Sequence, residues 1–276
     1  MTNSQAVAAH YSIKGILDTI ESGLKQVGAD RDSVTIDQLS LVDEFHIGGR
    51  KATEHFFPQL GFRPGDRVLD IGCGIGGGSR FAAAKYEVNV DGIDLTDEYI
   101  EVGDELNRWV GMETSVSLKT GDATSLEFED KTFDAAFTMH VCMNIADKRR
   151  VFEEAYRVIK PRGVLGIYDV TKYGAGEIMY PLPWAASAET SHLSSAGQYV
   201  KDLESAGFQV ETVTDRHAFA VEFFEAVKAK MASAGGPPPL GIHVLMGSDA
   251  KTKVTNLTSN LINGLVAPFE FVARKL

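Results

Sequence analysis

Apolar and polar positions alternate along the chain in two successive rhythms. Between Ser12 and Phe57 apolar residues recur at helical spacing, at Ile13, Ile16, Leu17, Ile20 and Leu24, and a polar break then leads into DEFHIGGRKATEHFF. This predicts an N-terminal helical cap over residues 1–60. From Arg67 onward short β-branched runs alternate with amphipathic stretches: RVLDIG, SRFAAAKY, NVDGIDL, DEYIEVGDELNRWVG, TSVSLKTGD, FDAAFTMH, KRRVFEEAYRVIK and GVLGIYDV. Such alternation predicts right-handed βαβ units around a parallel sheet, so residues 61–276 read as one doubly wound α/β core. In KPRGVL, Pro161 cannot continue a helix and Gly163 is free to turn, which predicts a helix stop and a new strand. The stretch from about 171 to 195 is long for a connection and is expected to cover a site. A helix (SAGQYVKDLESAGF), a strand (QVETVTD), a helix (HAFAVEFFEAVKAKMA), a GGPPP break, another helix and the run APFEFVARKL complete the pattern. The AFAVEFFEAVK stretch reads as a core helix without a role in a site.

Length and charge narrow the function. A chain of 276 residues suits one elaborated domain. Its 27 Lys and Arg stand against 38 Asp and Glu, a net charge of −11, with no polybasic block. That balance argues against a nucleic-acid or anionic-membrane partner and for a small molecule. MTNSQAVAAHYSIKG has no charged leader or apolar core of a signal peptide, so a cytoplasmic location is expected. Cys73 and Cys142 stand apart from any Cys/His cluster, which suggests neither a disulfide framework nor a zinc site.

The chemistry-bearing signals sit at the expected ends of strands. VLDIGCGIGGGSR reads as strand, glycine turn (Gly72, Gly74, Gly76) and helix from near Ser79, a place where backbone approaches a ligand and free N–H groups meet it. Asp70 is expected to order that turn by accepting backbone N–H groups rather than to do chemistry. About 20 residues on, Asp94 of GIDL is placed to accept from ribose hydroxyls, which fits NAD as well as S-adenosylmethionine (SAM). Asp122 and Ala123 of GDA would lie beside an adenine ring, and this third element favours SAM. His140 ends FDAAFTMH, where parallel sheets present ligand-facing residues.

DIGCGIGGGS, GIDL, GDA, FDAAFTMHVCMNIADK and KPRGVL together resemble the ordered motifs of class I SAM-dependent methyltransferases, over roughly Val68 to Asp169. The resemblance implies a Rossmann-like seven-stranded sheet of order 3-2-1-4-5-7-6, its last strand antiparallel, inserted and supplied by FEFVARK. It implies SAM as cofactor, S-adenosylhomocysteine (SAH) as product and no metal. The cofactor contacts it suggests are His46, Ile47, Gly72, Gly74, Asp94, Leu95, Asp122, Ala123 and Met139.

DEFHIGGRKAT, MNIADK and YPLPWA further resemble the sarcosine and dimethylglycine N-methyltransferases of betaine synthesis, with phosphoethanolamine methyltransferases sharing a similar arrangement. In those relatives a cap tyrosine closes over the cofactor, and Tyr11 matches it. The phosphoethanolamine enzymes pair it with a histidine, where this chain has Asn144, with His140 one helical turn earlier. Tyr11, His140 and Asn144 are therefore the catalytic candidates. Met143, Tyr180, Trp184 and Arg216 are the substrate candidates, Tyr180 and Trp184 as an aromatic cage for a methylated ammonium. Arg50, Lys51 and Arg216 are candidate cations for a substrate carboxylate. The expected reaction is N-methylation of a small amino acid. Phosphoethanolamine, a sulfur compound or a natural-product amine stay open as acceptors, as do an NAD-dependent oxidoreductase, a noncatalytic SAM-binding protein, and a monomer or homodimer.

Overall fold

The computed structural model describes residues 10, 11, 15–236 and 238–276. Ile13 of the expected cap pattern lies outside the described residues. Seven strands form one sheet in the order β3-β2-β1-β4-β5-β7-β6. They are β1 (Arg67–Ile71), β2 (Asn89–Asp94), β3 (Val116–Thr120), β4 (Phe133–Met139), β5 (Ile159–Lys172), β6 (Phe208–Asp215) and β7 (Val266–Lys275). β1 to β5 run parallel, and β7 lies antiparallel between β5 and β6, as the family resemblance implies.

Side chains alternate across this sheet into two cores, because successive strand residues face opposite sides. Leu69, Leu165 and Phe271 join one core with Val151 and Phe152 of α6 (Lys148–Val158) and with Tyr199 of α7 (Ala196–Ser205). Val68, Val164 and Val272 join the other with Phe81 of α4 (Gly77–Tyr86) and Ile100 of α5 (Asp97–Trp109). KPRGVL differs from expectation. β5 runs through it without a break, and the left-handed residue is Arg162 (φ 68°) rather than Gly163. Gly163 is needed for close approach: a Cβ there would lie 2.5 Å from the Asp134 carbonyl oxygen.

Before β1 come α1 (Ile16–Gln26), α2 (Ile36–Asp43) and α3 (Arg50–Phe56). Thr35 and Gln38 start α2 with a reciprocal capping box. Ile20, Leu24, Leu39 and Val42 pack against Ile75, Val102 and Leu106, so α1 and α2 lie over the glycine turn and α5. A buried ion pair pins this contact. Arg80 Nη2 lies 2.8 Å from Asp43 Oδ2, with both side chains fully buried. The same guanidinium donates to the Ile75 carbonyl and to Asn107 Oδ1. The chain closes with α8 (His217–Ala234) and α9 (Ala250–Ile262). Among the described residues no helix is long and apolar enough to cross a membrane, and Cys73 and Cys142 are buried free thiols.

Candidate active site

The carboxyl ends of β1, β2 and β4 open into a cavity of about 380 Å³, which the cap, the 173–195 connection, α8 and α9 enclose. This lies within the volume range of small-molecule sites.

The glycine turn forms one wall. Gly72 and Cys73 donate backbone N–H groups to the Ile93 carbonyl, each at 2.8 Å, tying the turn to the end of β2. Gly72 has φ 79°, and a Cβ on it would come within 2.3 Å of Val141 Cγ2, so only glycine fits. Asp94 then completes the turn, its Oδ2 accepting from Gly74 N–H at 2.9 Å and its Oδ1 from Thr96 N–H at 2.9 Å. That ordering role was expected of Asp70. Asp70 instead accepts from the Ser79 hydroxyl at 2.7 Å, holding the first turn of α4 to β1. Burial pushes the Asp70 carboxyl up to about 7, with Ser79 opposing and the charges of Asp94 and Glu44 adding to the shift. Leu95 also lines this wall. Beyond it, Asp122 and Ala123 border the cavity, with Asp122 Oδ1 accepting from the N–H and hydroxyl of Thr124.

The opposite wall belongs to the cap. Ile47 is fastened at both backbone groups: its N–H donates to His140 Nε2 at 3.2 Å, and its carbonyl accepts from the Tyr168 hydroxyl at 2.9 Å. His140 also sits 3.2 Å from the Tyr168 carbonyl through Nδ1, which assigns the proton to Nδ1. Burial pushes His140 down to about 3, the nearby His46 lowers it further, and the Tyr168 carbonyl opposes both. A neutral ring with both nitrogens engaged has no lone pair for acid–base work. His140, expected among the catalytic residues, is a clamp between cap and sheet. Its backbone takes a left-handed conformation, φ 57°, which a non-glycine residue rarely adopts.

His46 is arranged differently. Its Nε2 lies 3.1 Å from the Gly49 carbonyl, 3.1 Å from Thr53 Oγ1 and 3.4 Å from the buried Glu44 carboxylate. The contacts of its ring within the described residues run through Nε2, and the ring lines the cavity. Burial lowers its pKa against the raising pull of Glu44, leaving a neutral imidazole. Tyr11 and Asn144 close the same end, with Tyr11 Oη 3.3 Å from Asn144 Nδ2. The Tyr11 ring packs edge-on against Phe45 and Tyr99, and burial raises its phenol so that it keeps its proton. Met139 and Met143 line the cavity between these walls, and Asp169 holds the Met143 N–H at 3.1 Å.

Four of the expected substrate contacts lie elsewhere. Trp184 reaches the cavity, buried and with Nε1 donating to Ser191 Oγ, but Tyr180 does not, so the two form no cage around it. Arg216 lies outside the cavity, 3.3 Å from the buried Glu270 carboxylate and stacked over Phe219. Arg50 is held by Glu44 and Asp37, and Lys51 is exposed. None of these cations lines the cavity: Arg50 and Arg216 are paired with carboxylates and Lys51 faces solvent. Conversely, Phe223 and Phe224 of α8, in the stretch read as plain core, form part of the cavity wall, together with Leu257 of α9. Among the described residues no group of three His, Cys, Asp or Glu side chains is arranged to hold a metal ion.

Residues 69–167 match the model of a methyltransferase domain. The chain carries a methyltransferase domain. Phosphoethanolamine N-methyltransferase 1 of Arabidopsis thaliana is 31% identical over 192 residues, 67% of this chain and 36% of that protein. The chain spans between 24% and 36% of the length of the first curated relatives it matches. A protein from Galdieria sulphuraria provisionally assigned as a sarcosine dimethylglycine methyltransferase superposes with a TM-score of 0.68 at 22% identity, covering 82% of this chain and 85% of that one. Phosphoethanolamine N-methyltransferase 2 of Haemonchus contortus, solved with SAM, superposes with a TM-score of 0.74 at 20% identity, over 100% of this chain and 60% of that one. These two likenesses establish the shared fold.

Proposed function

We propose that this protein transfers the methyl group of SAM to a small organic acceptor bound beneath the helical cap. The observation that carries the reading is that one cavity joins the Gly72–Gly74 turn and Asp94 to Tyr11 and His46 of the cap and to Asn144 after β4. The matched methyltransferase domain supports it against an NAD-dependent oxidoreductase.

The residues fit the cofactor. The Asp94 carboxylate, oriented by the Gly74 and Thr96 N–H groups, borders the cavity where a ribose hydroxyl would donate to it. Asp122 and Ala123 border the space for an adenine, Leu95 lines the same wall, and Ile47 and Met139 line the cavity toward the cap. Asp94 lies on this wall, and a carboxylate there suits a sulfonium cation.

SAM supplies an activated methyl group. The acceptor lone pair forms the new bond to that carbon while the C–S bond breaks, its electrons going to sulfur and leaving SAH. The protein has to align the two and exclude water. Tyr11, protonated and bonded to Asn144, orients the acceptor. His46, neutral at Nδ1 and backed by Glu44, takes the proton the acceptor loses.

The finer expectation, the amine of sarcosine or dimethylglycine, draws on the cap and loop motifs and on the likeness to the Galdieria sulphuraria protein. A mass-spectrometric screen of purified protein with SAM against amines, alcohols and thiols tests the reading. A methylated product with matching SAH is expected, and SAM binding with no product from any acceptor class would leave only a noncatalytic SAM-binding protein.

A further inference from the structure

The acceptor half of the cavity has a chemical character of its own. Phe223 and Phe224 of α8, Leu245 and Met246 of the turn before α9, and Val254 and Leu257 of α9 form its outer wall. Phe45 and Trp184 close its sides. The charged residues bordering the whole cavity are Asp43, Asp70, Asp94, Asp122 and Asp147, and among the described residues no lysine or arginine borders it. Lys253, between Val254 and the start of α9, spends its Nζ on the Met246 carbonyl at 2.9 Å and the Asp249 carboxylate at 3.0 Å. A carboxylate or phosphate in this half would lose its water and meet hydrocarbon or charges of its own sign.

We propose that the methyl acceptor is an apolar molecule that presents one amine or hydroxyl nucleophile and carries no carboxylate or phosphate. Its hydrocarbon body lies against the α8–α9 wall, and its nucleophile meets the polar groups at the cap end, Tyr11, Asn144 and His46. This rests on the reading of the protein as a SAM-dependent methyltransferase, and it excludes the small zwitterions and phosphate esters that the motifs suggest. The wall explains the preference physically. Apolar surface gains from leaving water in proportion to its area, whereas a molecule as small and charged as sarcosine has little such area to bury.

Trp184 offers a direct readout, because the chain has two tryptophans and Trp109 lies away from the cavity. In a Trp109→Phe background loaded with SAH, the fluorescence of Trp184 is titrated with phenylbutylamine, phenylbutanol, phenylbutyrate, sarcosine and phosphoethanolamine. The first three share one hydrocarbon body and differ only in the head group. The amine and alcohol are expected to bind at least roughly tenfold more tightly than the carboxylate. Sarcosine and phosphoethanolamine should give no response at millimolar concentration. A half-buried wall position tests the cause: Phe223→Lys should bring phenylbutyrate up by about tenfold relative to the amine. Equal binding of phenylbutyrate and phenylbutylamine by the unaltered wall, or saturable binding of sarcosine or phosphoethanolamine alone, overturns the proposal. Calorimetry with SAH comes first: a protein that fails to bind SAH refutes the methyltransferase reading itself, whereas SAH binding followed by the wrong acceptor order refutes only the acceptor class.

Discussion

Replacing Arg80 with methionine tests how the cap is held to the cofactor wall. Arg80 and Asp43 are both fully buried and paired at 2.8 Å, so Arg80→Met strands a carboxylate beneath the cap. Burial alone already pushes the Asp43 carboxyl up, with Arg80 as the main opposing influence. Removing one member of a buried pair costs about 3–5 kcal/mol. The Ile75 carbonyl and Asn107 Oδ1 lose their donors too, for a further ~1–3 kcal/mol. A total of about 4–8 kcal/mol is a large part of the roughly 5–15 kcal/mol that holds a typical protein folded. Urea denaturation followed by circular dichroism at neutral pH measures the loss, and a paired Asp43→Leu/Arg80→Met variant separates its parts. The double variant removes both charges and should recover most of the pair's share. A single variant that loses under ~1 kcal/mol, or a double variant as unstable as the single one, would refute the reasoning.

Three further outcomes follow from the site. Asp70 has a folded-state pKa of about 7 against an ordinary 3.8, so the folded protein keeps this proton longer than the unfolded chain. Its contribution is complete below about pH 4 and is lost as pH rises through 7, roughly 4 kcal/mol in all. Asp70→Asn, which keeps an acceptor for Ser79, should therefore match the parent near pH 4 and exceed its stability near pH 8 in thermal melts; equal stability at both would contradict the burial argument. Tyr11→Phe should lower kcat by roughly tenfold or more while leaving SAM affinity within about twofold, measured by steady-state kinetics and calorimetry, and unchanged kinetics would remove the phenol from the mechanism. Because burial lowers the pKa of His46 below its ordinary 6.5, the acid limb of the rate profile should fall below pH 6.5. His46→Gln should slow turnover by about 10²-fold and abolish that limb, and an unaltered limb would exclude His46 as the proton acceptor.

The features legible in the sequence are those that local geometry dictates. Asp94 ends its strand and Gly72, Gly74 and Asp122 come within three residues of theirs, so a strand–turn–helix pattern brings them to one edge whatever the rest of the chain does. β7 was legible only through the family resemblance, because nothing in FEFVARK by itself specifies an antiparallel insertion between β5 and β6. Long-range pairing decided the rest. Arg216 is claimed by Glu270, which follows it by 54 positions, and His140 by the backbone of Ile47 and Tyr168. Asp94 took on the turn-ordering task expected of Asp70 because the carboxylate of the neighbouring strand, not the one before the turn, reaches Gly74. The α8 wall was hidden for a different reason: an apolar helix face reads the same whether it meets a protein core or a hydrocarbon ligand.

Titration of the purified protein with SAM, SAH and NAD tests the central claim most directly. The arrangement of Gly72, Gly74, Asp94 and Asp122 predicts saturable one-to-one binding of SAM and SAH, weakened by Asp94→Asn. It also predicts a stabilisation of about 2.7 kcal/mol when either is present at roughly 100 times its Kd. Binding and stabilisation by NAD, with no response to SAM or SAH, would contradict the account.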